Sequence, residues 1–389
     1  MKKIIALILS ICMIFSICGC GKNSTTVDVT DYKIAMITDF GDITDASFNQ
    51  SIYEACRVFS SEHEIKFTYF KPSGNSTEAR ISMIDKAIEE GFNVIVLSGY
   101  IFGEAIVEVY KDYPEVKFIG IDVSKGDLLA AALKNEYSGN PDDYDLNETL
   151  GIDNVYCAVY REEISGFLAG YTAVRLGYSE LGFLGGKDIE AINRYGYGFI
   201  QGCEFAAAEK DIQVNIKYGY ADQFYGDNDV TNVMAKWYSS GTEVIFACGG
   251  SVFSSVCTAA AGVGGKVIGV DVDQKQIIDS EYGEGMTITS AMKGLYPATY
   301  DTLNDVIVNG KWDAYSGKVN TLGLISSTDP SLNYCQIPVD STQFDDKYTL
   351  NDYKKIVKDI FDEVIKVSGN TKSQPFTSYA KVEYLGCIK

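Results

Sequence analysis

The stretch NVIVLS, residues 93–98, is a nearly continuous run of apolar residues. A strand of this composition is buried on both faces, which is typical of a parallel sheet covered by helices. Similar strand-like runs occur at residues 33–38, 65–70 and 116–122, and segments with apolar residues at helical spacing lie between them. Because parallel neighbours need crossover connections, this alternation predicts an α/β chain with a doubly wound parallel sheet.

The order of elements in the first half recurs in the second half. Residues 91–122 and 241–271 share a strand, a Gly-containing turn, a helix and a strand that ends in Gly-x-Asp. This partial repeat predicts two lobes of one architecture, although any two α/β segments can resemble each other by chance. Residues 125–153 are polar and acidic and contain GNPDDYDLNE, so they are predicted to be a loop or an insertion.

Residues 1–19 are predicted to be a lipoprotein signal peptide. Two lysines precede the apolar residues 4–17, a run shorter than the roughly 20 residues of a membrane span but right for the core of a signal peptide. The run ends in ICGC, which resembles a bacterial lipoprotein signal box and makes Cys20 the predicted lipid attachment point. A plain signal peptide with an incidental cysteine is the alternative. The polar residues 20–32 are then predicted to form a flexible tether.

Composition excludes several classes of function. The formal net charge of −20 argues against nucleic acid as a partner. The cysteines form no CxxC pair, so no zinc site or other metal site is predicted, and no cofactor motif occurs. His63 is the sole histidine and lies in the polar setting SEHE, which argues against Ser-His-Asp or Cys-His catalysis. We therefore predict no catalytic residues.

Three aspartates each follow a predicted parallel strand: Asp39, Asp122 and Asp271. In open α/β sheets, ligands bind at the carboxyl ends of the strands, so these side chains are expected to face one crevice. A carboxylate there can accept hydrogen bonds from vicinal hydroxyl groups, such as those of a sugar. The alternative is that each aspartate caps the helix that follows it.

Several fragments in a fixed order resemble the basic membrane protein family, the nucleoside-receptor-like substrate-binding lipoproteins of ABC transporters. They are DFGDITDASFNQSIYEA, PEVKFIGID, EEISGFLAGYTAVRLG, LGFLGGKDIEAINRYGYGFIQGCEFA, EVIFACGG, VIGVDVDQ and TSAMKG. The resemblance runs from about residue 33 to residue 308. It implies a type I periplasmic-binding-protein fold, in which two α/β lobes joined by a hinge hold a purine nucleoside between them.

The resemblance also implies ligand-binding residues where the motifs match. Asp39 and Asn49 lie on the motif that contacts the base in this family. Asp122 and Asp271 match the Gly-x-Asp strand ends, and the second of these is associated with ribose hydroxyls. Lys293, in TSAMKG, matches the lysine of the family's cleft. Asn49 could instead serve only as a helix cap.

Further candidates surround these positions. Phe40 is predicted to stack on the base, and Phe224 and Tyr225 are its candidate partners in the second lobe, with packing in the core as the alternative for both. Gly249, with Gly250 beside it, would let the backbone approach the ligand closely. Asp45 completes the predicted recognition loop with Asp39, Phe40 and Asn49.

The predicted division of the chain follows from these matches. Residues 33–154 are expected to form mainly lobe 1 and residues 155–285 mainly lobe 2. Residues 286–389 are expected to contain the hinge crossover and a C-terminal segment that returns to the lobes. The acidic insertion and the segment CQIPVDSTQFDDKYTLND depart from the family pattern and leave the identity of the ligand open.

The favoured function is a transport receptor, which binds a small ligand outside the cytoplasm and delivers it to an ABC transporter permease while a lipid anchors it to the membrane. One alternative is a membrane-anchored ligand sensor of the same fold. Another is an enzyme that acts on nucleosides or sugars, with Asp39 and Asp45 or Asp271 as acid and base. No catalytic motif supports the enzyme.

Overall fold

The computed structural model describes residues 29–389, so the predicted signal peptide and Cys20 lie outside the described residues. The strands are β1 Lys33–Ile37, β2 Lys66–Phe70, β3 Val94–Ser98, β4 Lys117–Ile121, β5 Val155–Tyr160, β6 Glu180–Gly185, β7 Val214–Tyr220, β8 Val244–Cys248, β9 Lys266–Asp271, β10 Thr287–Lys293, β11 Lys318–Leu322, β12 Cys335–Gln336 and β13 Ala380–Cys387. The α-helices are α1 Phe48–Glu62, α2 Thr77–Glu89, α3 Phe102–Val109, α4 Lys125–Leu133, α5 Leu146–Leu150, α6 Glu162–Arg175, α7 Glu190–Lys210, α8 Asn228–Ser239, α9 Phe253–Ala261, α10 Lys275–Tyr282, α11 Leu295–Leu303, α12 Trp312–Tyr315 and α13 Leu350–Phe361.

The strands of residues 29–389 form two sheets. The first has the order β11-β5-β4-β3-β1-β2, and its pairs are parallel. The second has the order β12-β10-β9-β8-β6-β7-β13, in which β12 alone is antiparallel to its neighbour. Strand β3 covers residues 94–98 of the predicted run and is buried along its whole length. The prediction of an α/β chain with two doubly wound parallel sheets is therefore confirmed.

The chain passes between the sheets three times within the described residues, after β5, after β10 and after β11. The crossings lie side by side. The amide of Arg161 donates to the carbonyl of Leu322 at 2.8 Å, and the amide of Tyr334 donates to the carbonyl of Gly323 at 3.0 Å. These connections together form the hinge between the lobes.

The predicted division at residue 155 needs a correction, because β5 pairs with β4 and lies in the first sheet. The chain enters the second lobe only with α6 and β6. Strand β11 also returns to the first sheet, where it pairs with β5. The hinge therefore exchanges strands in both directions, and a single boundary in the sequence does not describe it.

Residues 125–153 are more ordered than the predicted loop. Ser124 and Asp127 form a reciprocal capping box that starts α4, and Leu128 and Leu129 are fully buried against the first lobe. A short second helix, α5, follows within the same stretch. The acidic composition of the segment predicted a loop, but Leu128 and Leu129 pack into the core and hold the segment on the first lobe.

Helices α6 and α7 approach each other unusually closely at glycines. A Cβ atom at Gly202 of α7 would lie 2.0 Å from the carbonyl oxygen of Phe167, and one at Gly166 of α6 would lie 2.1 Å from that of Tyr195. The absence of side chains at these positions lets the two backbones meet. This contact fixes the start of α6, at Glu162, beside Arg194 of α7.

Candidate ligand-binding site

A cavity of about 380 Å³ lies between the lobes at the carboxyl ends of the parallel strands. Its volume is within the range of small-molecule sites in proteins. All ten ligand-binding residues predicted from the sequence line it: Asp39, Phe40, Asp45, Asn49, Asp122, Phe224, Tyr225, Gly249, Asp271 and Lys293. The structure thus brings the predicted residues together, while their roles toward a ligand stay a prediction.

The loop after β1 places Asp39 at the cavity. Its carboxylate accepts hydrogen bonds from the amide of Gly41 at 2.5 Å and from Nδ2 of Asn49 at 3.0 Å. Burial raises the pKa of Asp39 to about 6, although these two donors and Lys71 work in the opposite direction. Asp39 therefore changes its charge within the physiological range of pH.

The carboxylate of Asp45, and not the side chain of Asn49, caps the start of α1 by accepting hydrogen bonds from backbone amides. The carboxylate of Asp45 accepts hydrogen bonds from the backbone amides of Ser47 and Asn49, both at 2.9 Å, and of Gln50 at 3.1 Å. The alternative reading of Asn49 as the cap is therefore wrong. Burial raises the pKa of Asp45, while the three amides lower it. Its helix-capping bonds make Asp45 a part of the loop's architecture as well as of the cavity wall.

The side chain of Asn49 holds the loop together. Its Nδ2 group donates to Asp39 at 3.0 Å and to Asp45 at 3.2 Å, and its Oδ1 atom accepts from the hydroxyl of Ser98 at 2.9 Å. Both amide hydrogens are thus directed at carboxylates. Asn49 therefore holds Asp39 in the wall of the cavity.

Asp122 and Asp271 occupy equivalent places in the two lobes. Each lies at the end of a central strand and adopts a left-handed backbone, with φ of 67° and 66°. Lys293, at the end of β10, lies between them. Its Nζ atom is 2.7 Å from Oδ2 of Asp122 and 4.0 Å from Oδ1 of Asp271. The pair of strand-end carboxylates therefore shares one buried cation.

A third carboxylate, Glu162, extends this cluster and was not predicted from the sequence. Oε1 of Glu162 is 3.6 Å from Nζ of Lys293, and Oε2 accepts from Nε of Arg194 at 2.6 Å. Burial raises the pKa of Glu162 to about 7, while the charge of Arg194 lowers it. The only sequence signal was two adjacent glutamates at the start of an otherwise apolar helix.

The electrostatics of the cluster keep the lysine charged. Burial would lower the pKa of Lys293, but the carboxylates of Asp122, Asp271 and Glu162 raise it above its ordinary value. Burial also raises the pKa of Asp271, while Lys293 and the hydroxyl of Ser47 lower it. Two cations, Lys293 and Arg194, therefore face three carboxylates. Oδ1 of Asp122 is buried without a hydrogen-bond partner in the described chain.

Aromatic rings form the other part of the cavity wall. The rings of Phe40 and Phe224 come from different lobes, and their centroids are 6.5 Å apart with an interplanar angle of 32°. Nζ of Lys187 lies 5.9 Å from the ring centroid of Phe40. Tyr225, the other predicted partner, is 56% exposed and so lies at the entrance. Phe224 is the residue that faces Phe40.

Gly249 and Gly250 make room for Phe224. A Cβ atom at Gly249 would lie 2.9 Å from a ring carbon of Phe224, and one at Gly250 would lie 2.6 Å from its carbonyl oxygen. Both glycines also have positive φ, of 142° and 51°. The close approach expected between backbone and ligand is thus, in this structure, an approach between backbone and an aromatic side chain.

Several other residues that line the cavity were not predicted from the sequence as ligand-binding residues. They include Phe48, Tyr100, Ile189, Ile192, Tyr195 and Ser251. Phe48 and Ile192 have the helical spacing of core residues, and their exposure to the cavity depends on how the lobes meet. No group of side chains suited to hold a metal ion occurs within residues 29–389.

The family of the chain follows from comparison with known proteins. A family model named Bmp and described as ABC transporter substrate-binding protein, PnrA-like, matches residues 32–328. The chain belongs to this family. The resemblance found in the sequence motifs is thereby confirmed, and the Bmp-family match extends it slightly beyond residue 308.

Two relatives show how far the similarity reaches. The ABC transporter nucleoside-binding protein BmpA of Lactococcus lactis subsp. cremoris is 26% identical over 261 residues, which are 64% of this chain and 66% of that protein. Basic membrane protein A1 of Borrelia garinii subsp. bavariensis is 30% identical over 298 residues, which are 75% of this chain and 77% of that protein.

Solved structures confirm the type I periplasmic-binding-protein fold of this Bmp-family chain. An ABC transporter solute-binding protein from Aeropyrum pernix superposes with a TM-score of 0.63 at 21% identity, covering 87% of this chain and 88% of that one. A second, from Conexibacter woesei, gives 0.61 at 17% identity, covering 87% and 99%. Among the helices of residues 29–389, none has the length and apolar character needed to cross a bilayer.

Proposed function

We propose that this Bmp-family protein binds a purine nucleoside between its lobes and delivers it to the permease of an ABC transporter. One observation carries the proposal: the cavity has carboxylates around a lysine on one side and a pair of aromatic rings on the other. A nucleoside has the matching division into a polyhydroxylated sugar and a flat aromatic base. The relative named as nucleoside-binding supports the same class of ligand.

The strand-end carboxylates suit the sugar. Vicinal ribose hydroxyls are donors, and carboxylate oxygens are the acceptors that bind them most strongly. Asp271 is 5% exposed, and Oδ1 of Asp122 has no partner in the described chain, so a hydroxyl donor would supply an interaction that the protein lacks. In this proposal Lys293 holds both carboxylates in place.

The aromatic pair suits the base. A planar ring in contact with two others needs about 7 Å between them, since carbon atoms in contact are about 3.5 Å apart. The centroids of Phe40 and Phe224 are 6.5 Å apart and their planes are tilted by 32°, so in this proposal the rings move slightly apart to admit the base. In this proposal the edge of the base meets Asp39, which Asn49 orients.

The same charges disfavour nucleotides. Five carboxylates line the cavity, at Asp39, Asp42, Asp45, Asp122 and Asp271. The two lysines of the wall, Lys71 and Lys293, are already engaged with Asp42 and Asp122. A phosphate group would be repelled in this setting. We expect nucleoside monophosphates to bind more weakly than nucleosides.

Calorimetry with guanosine, inosine, adenosine, their free bases and their monophosphates tests the proposal. Nucleosides should bind best. Asp271→Ala should remove the preference for nucleoside over free base, because a lost hydrogen bond to a buried carboxylate is worth about 1 to 3 kcal/mol. Tight binding of an unrelated sugar or amino acid, without any nucleoside binding, would contradict the ligand class.

The aromatic pair offers a matched set of variants. Phe224→Ala and Phe40→Ala should weaken all nucleosides together, by roughly tenfold or more, because each ring contributes contact area and stacking. Tyr225→Ala is the control, since Tyr225 is next to Phe224 in sequence but is 56% exposed and does not face Phe40. Equal losses at Phe224 and Tyr225 would argue against the sandwich.

Two alternatives are tested by simple assays. Release of free base from a nucleoside during incubation would favour an enzyme over a receptor. A sensor would bind the same ligand but dock on a membrane signalling protein, so uptake of labelled nucleoside in cells with and without the protein separates it from a transport receptor. The bonding of Asp45 to the start of α1 argues against its use as a catalytic acid or base.

We also propose that the protein is extracytoplasmic and anchored by a lipid on Cys20. The lipobox-like end of the apolar leader supports this, and the polar residues 21–32 leave room for a tether between the anchor and β1. Labelling with a radioactive fatty acid should mark the protein and not Cys20→Ala. Equal labelling of both would contradict the anchor.

A further inference from the structure

The segment beyond the family match adds a strand to the second lobe. The Bmp model ends at residue 328, and β13, Ala380–Cys387, lies beyond it. This strand pairs in parallel with β7 at the edge of the second sheet. Parallel pairing brings the last residues of β13 to the carboxyl end of the sheet, which is where the cavity lies.

The start of β13 is held firmly. The carboxylate of Glu204, on α7, accepts hydrogen bonds from the amides of Ser378 at 2.9 Å, Tyr379 at 2.8 Å and Ala380 at 2.7 Å. At the other end, the amide of Ile388 donates to the carbonyl of Tyr220 at 2.9 Å. The strand is therefore fixed along its length, and the position of Lys389 is defined by it.

Lys389 contacts the loop that carries Phe224 and Tyr225. Its Nζ atom donates to Oε1 of Gln223 and to Oδ2 of Asp227, the latter at 2.6 Å. These two residues flank the aromatic pair of the loop in sequence. The loop thus contacts the cation of Lys389 through Gln223 and Asp227, while Phe224 and Tyr225 line the cavity.

Gln223 connects Lys389 to the backbone of the loop by hydrogen bonds. Its side chain is 8% exposed, and its Nε2 group donates to the carbonyl of Tyr225 at 2.7 Å and to Asp227 at 3.0 Å. The hydrogen bond of Lys389 to Oε1 fixes which way the amide points. A rotated amide would turn its oxygen toward the carbonyl of Tyr225 and lose that bond.

We propose that residues 380–389 brace the loop of residues 222–227 and that Lys389 is a positioning residue for Phe224. The brace lies outside the region that the family model matches, so it makes ligand affinity depend on a segment that the family model does not cover. The expected effect of Lys389 on ligand affinity rests on the proposed function, but its expected effect on the stability of the loop does not. Lys389 is not one of the residues that line the cavity, and it acts through Gln223 and Asp227.

Hydrogen exchange of the ligand-free protein tests the brace. In Lys389→Met the amides of Gln223 and Ser251, which donate to Gly186 and Phe224, should exchange about two- to fivefold faster, as expected from the loss of a partly exposed ion pair. Lys389→Arg should restore most of the protection because it keeps a cation with several donors. Lys381→Met is the matched control, on the exposed side of the same strand.

The ligand arm uses guanosine and the same three variants. Affinity should fall about two- to fivefold in Lys389→Met, with a faster dissociation rate and an unchanged midpoint of global unfolding, and recover in Lys389→Arg. Unchanged exchange of the loop, or an equal change in Lys381→Met, would overturn the brace. If the unaltered protein binds no nucleoside, the proposed function fails. The hydrogen-exchange experiment would still show whether Lys389 braces the loop.

Discussion

Ser47 of the first lobe donates a hydrogen bond of 2.6 Å to Asp271 of the second lobe. Beside it, Nε2 of Gln274 donates to the carbonyl of Ala46 at 3.0 Å. Both bonds join the loop before α1 to the end of β9. The two lobes are therefore held closed in part by protein groups that lie next to the cavity, and a ligand adds its own contacts to both lobes.

Ser47→Ala should shift the protein toward an open state. The variant removes a bond to a charged acceptor, which is worth about 1 to 3 kcal/mol, so the closed state loses one of the direct bonds between the lobes. Small-angle scattering of the ligand-free variant should show a larger radius of gyration. Saturating ligand should bring the radius back toward that of the unaltered protein, because a ligand favours the state in which both lobes contact it.

The control for this latch is Ser51→Ala, one turn further along α1. Ser51 is also buried, but its hydroxyl makes no side-chain hydrogen bond in the described chain. Its loss should leave the radius unchanged. An unchanged radius in Ser47→Ala as well would mean that the latch does not hold the lobes together.

The pKa of Asp39 predicts how affinity changes with pH. Burial raises this pKa to about 6, so the carboxylate is an acceptor at pH 7.5 and carries a proton at pH 5. Guanosine and inosine present an N–H donor on the ring edge and should lose about tenfold in affinity between these pH values. Adenosine presents a ring acceptor at the same place and should lose less. Calorimetry at the two pH values measures the ratio.

Asp39→Asn should reduce the pH dependence of guanosine binding between 5 and 7.5 to that of adenosine, whereas Asp42→Asn should keep the difference between the two ligands. Asp42 is in the same loop, but it is exposed and forms an ion pair with Lys71, and its hydrogen bond to Lys71 lowers its pKa. Equal pH profiles for guanosine and adenosine would contradict contact between Asp39 and the base edge.

The same pKa has a consequence for the ligand-free fold. Because the pKa of Asp39 is higher in the folded chain than its ordinary value of 3.8, the folded state takes up the proton first. The free energy of unfolding should therefore fall as pH rises from about 4 to 6, by about 1 to 2 kcal/mol from this group. Asp39→Asn should flatten that slope in urea titrations.

Much of the site could be predicted from sequence because it lies at the carboxyl ends of strands. Asp122 and Asp271 each follow a buried apolar strand with a Gly-x-Asp ending, and the parallel sheet alone brings such residues to one edge. The same logic located Asp39. The lysine at residue 293 came from the family motif, since nothing in the strand pattern required a cation there.

The remaining residues depend on contacts between distant segments. In the sequence, Glu162 is one of two adjacent glutamates at the start of a helix. Its position beside Lys293 follows from the close contact of α6 and α7 at their glycines. The latch of Ser47 on Asp271 depends on the relative position of the lobes. Local patterns carry no information on such distances, so these partners could not be found before the fold was known.

Lys293→Met should destabilise the protein strongly and in a manner that depends on pH. The change leaves Asp122 and Asp271 without a cation, while Glu162 keeps its ion pair with Arg194, and an uncompensated buried charge costs about 3 to 5 kcal/mol. Loss of the cation removes an interaction that lowers the pKa of Asp271 and Glu162, so these two groups take up protons more readily at low pH, which relieves the repulsion. Urea denaturation should therefore show a larger loss at pH 8 than at pH 5.

Lys71→Met provides the comparison for Lys293. Its ion pair with Asp42 has side chains that are 43% and 57% exposed, and such pairs contribute little. We expect a change within about 0.5 kcal/mol at either pH. A loss in Lys293→Met that did not depend on pH would point to lost packing instead of unbalanced charge.

Gly202→Ala should separate α6 from α7. The added methyl group would lie 2.0 Å from the carbonyl oxygen of Phe167, so the helices must move apart, at a cost of at least about 1 to 3 kcal/mol. That movement carries Glu162 away from Lys293, and ligand affinity should fall with stability. Gly262→Ala is the control, since a Cβ atom there meets nothing within 4 Å. Urea denaturation and calorimetry of both variants measure the two effects, and a stable Gly202→Ala protein with normal affinity would show that the close helix contact does not position the cluster.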